Sequence, residues 1–348
     1  MSNILVLGYL GLKKDQLDGQ TVKTRELYKL LKTNNFDCDY FDTQEFKYRK
    51  CSVLSFIKKI MKTKTIYYVP AQNNLKYIFP VLYLIAKLFK IKIYYFVVGG
   101  WLVEFLENRP LHRHFLSKIS RILPETQYMI DQLSINYCFN NLNIFPNFRF
   151  QDVEIEFSHS SAIDGRSAAL KVVFVSRIVE EKGLKVIENF CNYLVSLDSN
   201  MDIIVDFFGL ISEKDSLYFE DFVSKYNFVN YKGVLQPSEI TKTLKLYDVL
   251  VLPTRYYTEG LPGAIVDAYM AGIPVIVTEW KHSHEFVKHL ETGFIVPFDN
   301  PNDEFIDSVM RLYQDRGLLL KMKKNAFYES FNYSDKYAWD ILKSISKF

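Results

Sequence analysis

The chain has 348 residues, 49% of them apolar, enough to bury two cores. Its four cysteines, Cys38, Cys51, Cys138 and Cys191, lie far apart with no C-x-x-C pair, so neither a disulfide framework nor a cysteine zinc cage is indicated. Net charge is only +3, yet residues 1–150 carry 22 Lys and Arg against 11 Asp and Glu, and the remainder carries 21 against 29.

The basic character is concentrated further. Between Glu45 and Glu104 eleven basic residues occur with no acid, so this segment wants an anionic partner. It holds no recognition motif of a nucleic-acid module, and an anionic membrane surface is the expected partner in place of nucleic acid.

The amino end, MSNILVLGYLG, has no basic n-region, no long apolar h-region and no small-residue cleavage site; it reads as a first strand at 4–8. The expected location is cytoplasmic, peripheral at the inner face of the membrane. Leu27, Leu30 and Leu31 mark a helix face, and 65–69, 75–89 and 91–98 read as strand, helix and strand, a βαβ rhythm. The most apolar stretch, 77–98, is interrupted by Pro80, Lys87, Lys90 and Lys92 and is not a membrane span. A short strand at 142–145 closes the first half ahead of Pro146. Residues 151–169 are largely polar and keep neither period, as an interdomain connection would. Strands then return at 171–175, 202–208, 229–231, 249–252, 275–277 and 294–296, the pattern of a second doubly wound sheet. Ser334 is placed to cap a final helix carrying Trp339, Ile341, Leu342 and Ile345.

Two runs carry the chemistry. In TRYYTEGLPGAIVDAYMAGIP, beginning at Thr254, Glu259 and Asp267 stand eight residues apart across a Gly-Leu-Pro-Gly turn that opens a helix. The free N–H groups and positive end of such a helix suit a phosphate or a sugar hydroxyl, and Asp267, an acceptor-only group, suits a vicinal diol. In KVVFVSRIVEEKGL, beginning at Lys171, a strand delivers Arg177 and Lys182 before Gly183 starts a helix, and two fixed cations there suit a diphosphate.

With these runs on view, the chain resembles the family-4 retaining glycosyltransferases of GT-B fold, of the kind that builds bacterial polysaccharides. The matching pieces in the second half are Ser176-Arg177 with Lys182-Gly183, Asp206 to Gly209, Tyr247-Asp248, Leu252-Pro253-Thr254, Glu259-Gly260-Leu261-Pro262, Asp267-Ala268 and Ala271 to Val275. Gly8 to Gly11, Asp18 to Thr21, Gly99-Gly100 and Pro146-Asn147 match more weakly in the first half. The resemblance implies an α/β protein of two Rossmann-like domains facing each other across a cleft. Residues 1–150 are then the acceptor-side domain, 151–169 a linker, 170–330 the nucleotide-sugar domain and 331–348 a terminal helix that crosses back to the first domain.

The resemblance also assigns roles. Arg177 and Lys182 hold the donor diphosphate and stabilise the departing nucleotide, so that no metal and no other cofactor is needed. Glu259 contacts donor sugar hydroxyls, Asp267 takes the place of the acid that binds the ribose, and the backbone of Gly260, Leu261, Pro262, Gly263 and Ala264 lies against sugar and phosphate. Gly19 lets the backbone of the first domain approach the diphosphate. The expected activity is transfer of a hexose from a nucleotide diphosphate sugar to a saccharide or lipid-linked saccharide, with the leaving phosphate oxygen taking the acceptor proton. On this division Glu259→Gln leaves binding of free nucleotide diphosphate nearly unchanged. Two departures stand out: Asp267 is one methylene shorter than the usual Glu, and Ser176 replaces a common Gly. The sequence VVGGWL offers no counterpart to the family's first-domain histidine. Rival readings are a GT-B nucleotide-sugar epimerase and a catalytically silent subunit of a polysaccharide assembly complex. Asp37-Cys38-Asp39, His112-Arg113-His114 and His282-Ser283-His284 imitate metal motifs, but the first lies in a strand pattern and the others lack a third ligand at a recognisable spacing.

Overall fold

The computed structural model describes residues 3–12, 18–48, 52–150, 157, 169–197 and 201–346. The chain divides into two compact units, Met1–Phe150 with Ser334–Phe348, and Gln151–Tyr333. The connection expected at 151–169 lies outside the described residues apart from Phe157 and Ala169.

The first unit is a five-stranded parallel sheet of β1 (Ile4–Gly8), β2 (Cys38–Asp42), β3 (Thr65–Val69), β4 (Lys92–Phe96) and β5 (Arg121–Leu123), in the order β2-β1-β3-β4-β5. The central strands β1, β3 and β4 are nearly continuous apolar runs because side chains of alternate residues feed two buried layers, one on each face. Leu5, Leu7, Ile66, Tyr68, Ile93 and Tyr95 join Phe56, Ile60, Phe79 and Leu82 from the helices Ser52–Ile60 and Phe79–Leu88. Ile4, Val6, Tyr67, Val69 and Phe96 join Leu27, Leu30 and Leu31 of the helix Gly19–Thr33 on the opposite face. The last helix, Asp335–Ser346, adds Ala338 and Leu342 to that second layer, and its start is capped where Ser334 Oγ accepts from Tyr337 N–H at 3.2 Å.

The second unit is a six-stranded parallel sheet, order β11-β10-β9-β6-β7-β8, from β6 (Leu170–Val175), β7 (Ile203–Phe208), β8 (Val229–Tyr231), β9 (Val249–Leu252), β10 (Val275–Thr278) and β11 (Gly293–Val296). β6 lies between β9 and β7, so the segments that leave the carboxyl ends of β6 and β9 emerge side by side. In parallel α/β sheets ligands bind at those ends. Two motif residues hold this frame. Asp206 accepts from Tyr247 at 2.7 Å and from Asn230 at 2.8 Å, and Asp248 accepts from Lys171 N–H at 2.9 Å and from Lys323 at 2.7 Å.

Two local expectations change. The helix expected over 75–89 is two helices, Gln72–Tyr77 and Phe79–Leu88, because Pro80 has no N–H to return to the carbonyl of Lys76. That carbonyl instead accepts from His112 Nε2 at 3.2 Å, which gives the first His-x-His pair a structural role. The strand expected at 142–145 is a single bridge between Ile122 and Leu142.

Candidate active site of the second unit

β6 ends at Val175 and hands over Ser176 and Arg177. The chain still runs beside β7 there, with Ser176 N–H donating to Phe208 O at 3.2 Å and Ile178 N–H to Leu210 O at 2.8 Å. Arg177 is exposed and makes no hydrogen bond or ion pair among the described residues. Nearby Glu181 accepts from Lys214 Nζ at 2.5 Å; that bond chiefly, with a smaller contribution from the Arg177 charge, holds its carboxyl below the usual range.

The chain next tightens into a 3-10 turn, Glu180–Lys182, and Gly183 leaves it at φ +91°. A Cβ on Gly183 would stand 2.0 Å from Pro253 O, so only glycine lets this turn press against the segment that follows β9. The two segments are then stitched together. Arg255 N–H donates to Glu181 O at 2.7 Å, and the buried Thr254 hydroxyl lies 3.4 Å from Glu181 O and 3.3 Å from Glu259 Oε2. Thr278 Oγ1 fixes the other side by donating to Thr254 O at 2.5 Å.

The result is a direct ion pair between Lys182 Nζ and Glu259 Oε2, with side chains 9% and 19% exposed. Tyr256 sets its ring centroid 5.1 Å from the same ammonium. Lys182 and Glu259, 77 positions apart, are therefore brought together, whereas Arg177 stands separately on the loop after β6.

Beyond Glu259 the buried Gly260, Leu261 and Pro262 lead into the helix Gly263–Met270. Pro262 is the residue before the first turn, with extended backbone and no side-chain cap on the helix start. A helix beginning this way leaves its first N–H groups for an anion or a hydroxyl. Asp267 lies one turn further in, about 6 Å along the axis, and is only 5% exposed. The two acids thus sit in different surroundings.

In the first unit, Gly19 opens the helix Gly19–Thr33, and Asp18 caps it by accepting from Thr21 N–H at 3.0 Å. A Cβ at Gly19 would meet nothing within 4 Å, so the chain's own packing makes no demand for glycine there. Four residues on, Lys23 is buried with its ammonium 2.5 Å from Glu125 and 2.8 Å from Val97 O, beside the carboxyl ends of β4 and β5. Desolvation lowers its pKa, opposed by Glu125. Sequence reading passed over this pair, although Lys23 stands on the apolar face of Leu27, Leu30 and Leu31, where a lysine asks for a partner. Thr254 and Tyr256 were also missed as supports of the Lys182–Glu259 pair. The other metal-like motifs have structural occupants: Asp39 pairs with Lys59 at 2.9 Å, and His284 with Glu279 at 2.9 Å.

Residues 161–328 match the family model described as Glycosyl transferases group 1. Over its whole length the chain superposes on HepE (Alr3699) of Anabaena, solved with UDP, with a TM-score of 0.74, covering 99% of this chain and 100% of that one at 14% identity. The fold is GT-B. Sucrose-phosphate synthase of Thermosynechococcus elongatus shares it with a TM-score of 0.75 at 13% identity, covering 100% of this chain and 98% of that one. Among curated proteins, the chain is 34% identical over 97 residues to the UDP-Gal:alpha-D-GlcNAc-diphosphoundecaprenol alpha-1,3-galactosyltransferase of Escherichia coli, covering 27% of this chain and 24% of that one. The chain thus spans about a quarter of the length of this curated relative. In GT-B terms, the Lys182–Glu259 pair and the uncapped Gly263 helix start both belong to the second, C-terminal domain.

Proposed function

We propose that the chain is a retaining, metal-independent hexosyltransferase that moves a sugar from a nucleotide diphosphate sugar to a saccharide carried on a lipid, at the inner face of a membrane. The observation that carries the reading is the pairing of Lys182 with Glu259 just ahead of the uncapped helix start of Gly263, with Arg177 left exposed on the loop after β6. Two cations and bare backbone N–H groups suit a diphosphate, and a carboxylate suits sugar hydroxyls. The printed activity of the Escherichia coli relative, a UDP-Gal donor and a diphosphoundecaprenol acceptor, supports a UDP-sugar and a lipid-linked acceptor here.

In this reading Arg177 and Lys182 stabilise the departing diphosphate, Glu259 orients the donor sugar and Asp267 addresses the ribose. The backbone of 260–264 lines sugar and phosphate, and Gly19 stands as a diphosphate contact on the first unit. The bond from the anomeric carbon to the donor phosphate oxygen breaks as that carbon bonds the acceptor oxygen, and the acceptor proton passes to the leaving phosphate oxygen. Fixed cations perform the charge stabilisation that Mg²⁺ gives elsewhere. A thermal-shift screen over nucleoside diphosphates and their sugars in excess chelator tests the donor assignment: stabilisation by a UDP-sugar supports it, and stabilisation only with added divalent metal refutes it.

A further inference from the structure

Nine of the 24 exposed large apolar side chains among the described residues lie between Val53 and Phe89, about a tenth of the chain. They are ordered. Leu54, Ile57 and Met61 recur at spacings of three and four along the Ser52–Ile60 helix and its last hydrogen bond, Met61 N–H to Ile57 O. Val81, Leu84 and Leu88 repeat the same spacing on Phe79–Leu88. Three residues so spaced share one side of a helix. Both helices cover the same face of the first sheet, since Phe56 and Ile60 of one and Phe79 and Leu82 of the other enter the same buried layer. The stripes are therefore a second apolar surface, turned to solvent.

Charge says what covers it. Lys58 and Lys62 flank the first stripe and Lys87 and Lys90 the second, all four exposed, and no acid occurs from residue 46 to residue 103. Lys59, which the sequence pattern groups with them, is not available: its ammonium is held by Asp39 at 2.9 Å and Tyr40 O at 2.8 Å. Among the described residues no helix is long and apolar enough to cross a membrane.

We infer that this face docks on an anionic bilayer by inserting the two apolar stripes among the headgroups while the lysines pair with lipid charge. The inference rests on the lipid-linked acceptor of the proposed function and names the surface that meets it. Apolar burial and charge act together at such a surface, and each lysine near it is worth about fivefold in partitioning.

The test is sedimentation of the full chain with vesicles of phosphatidylglycerol and phosphatidylcholine, or of phosphatidylcholine alone, with UDP binding measured by calorimetry on every variant. Binding to the anionic vesicles is expected, weakened by salt. The triple variant Leu54→Ser, Leu84→Ser, Leu88→Ser should lose about tenfold or more in partitioning, and Lys87→Glu with Lys90→Glu a similar amount, with UDP binding unchanged in both. A Trp placed by Leu88→Trp should shift its emission to the blue only with anionic vesicles. Equal binding to neutral vesicles, no binding, no emission shift, or self-association through this face with no lipid binding would each overturn the docking proposal. Loss of UDP binding by the unmodified chain would instead count against the transferase reading.

Discussion

The pairing of Lys182 with Glu259 changes what Glu259→Gln should do. Replacing the carboxylate by an amide keeps its shape and removes the charge that neutralises Lys182 in the free protein. Exposed ion pairs are worth less than about 1 kcal/mol and breaking fully buried ones costs about 3–5 kcal/mol. With side chains 9% and 19% exposed, this pair falls between, and about 1.5 kcal/mol of Lys182's interaction becomes available to a diphosphate. UDP should therefore bind about tenfold more tightly, whereas turnover should fall about tenfold or more because a charged hydrogen bond to the donor sugar is lost. The sequence alone gave unchanged nucleotide binding, since it assigned Glu259 to the sugar only. Asp267→Asn should behave oppositely and weaken UDP itself. Calorimetry with UDP and a steady-state assay separate these effects, and unchanged or weaker UDP binding by the Glu259 variant would refute the reasoning.

Gly183→Ala should cost on the order of 3 kcal/mol and weaken UDP binding, because the new methyl meets Pro253 O at 2.0 Å with φ at +91°; wild-type stability in urea would contradict this. Glu125→Gln should destabilise the fold by about 3–5 kcal/mol by leaving Lys23 buried without its counter-charge, while a paired change to Met and Leu should be nearly neutral; equilibrium unfolding of both variants is the check. Burial raises the pKa of Tyr68, Tyr95 and Tyr269 above 10.0. The folded state favours the neutral phenols, so their contribution is complete below that value and is lost as pH rises through the folded-state values. Urea midpoints should fall as the pH rises above about 10, and a flat profile there would be inconsistent with these buried phenols.

Strands β1, β3, β8 and β9 were legible to the residue because they are apolar runs bounded by turns, the signature of strands buried on both faces. β5 was not, being three residues that begin with Arg121. Arg177 and Lys182 were legible as candidates because they follow a strand end, and Glu259 because it stands before a Gly-Leu-Pro-Gly turn that opens a helix. Their mutual arrangement was not, since nothing in local spacing links position 182 to 259; that contact depends on the close approach at Gly183 and the lateral pairing of β6 and β9. The same limit hid the Lys59–Asp39 pair, which removes one lysine from a surface that periodicity alone made uniform.

The central claim is sugar transfer supported by fixed cations. The most direct measurement is UDP release from a panel of UDP-sugars, with lipid-diphosphate saccharide acceptors and excess chelator, for the unmodified chain and for Arg177→Ala. Acceptor-dependent release that withstands chelation and drops about a hundredfold in the variant, some 3 kcal/mol of transition-state stabilisation, is the expected result. Strict dependence on Mg²⁺ or Mn²⁺, or full activity without Arg177, would contradict it.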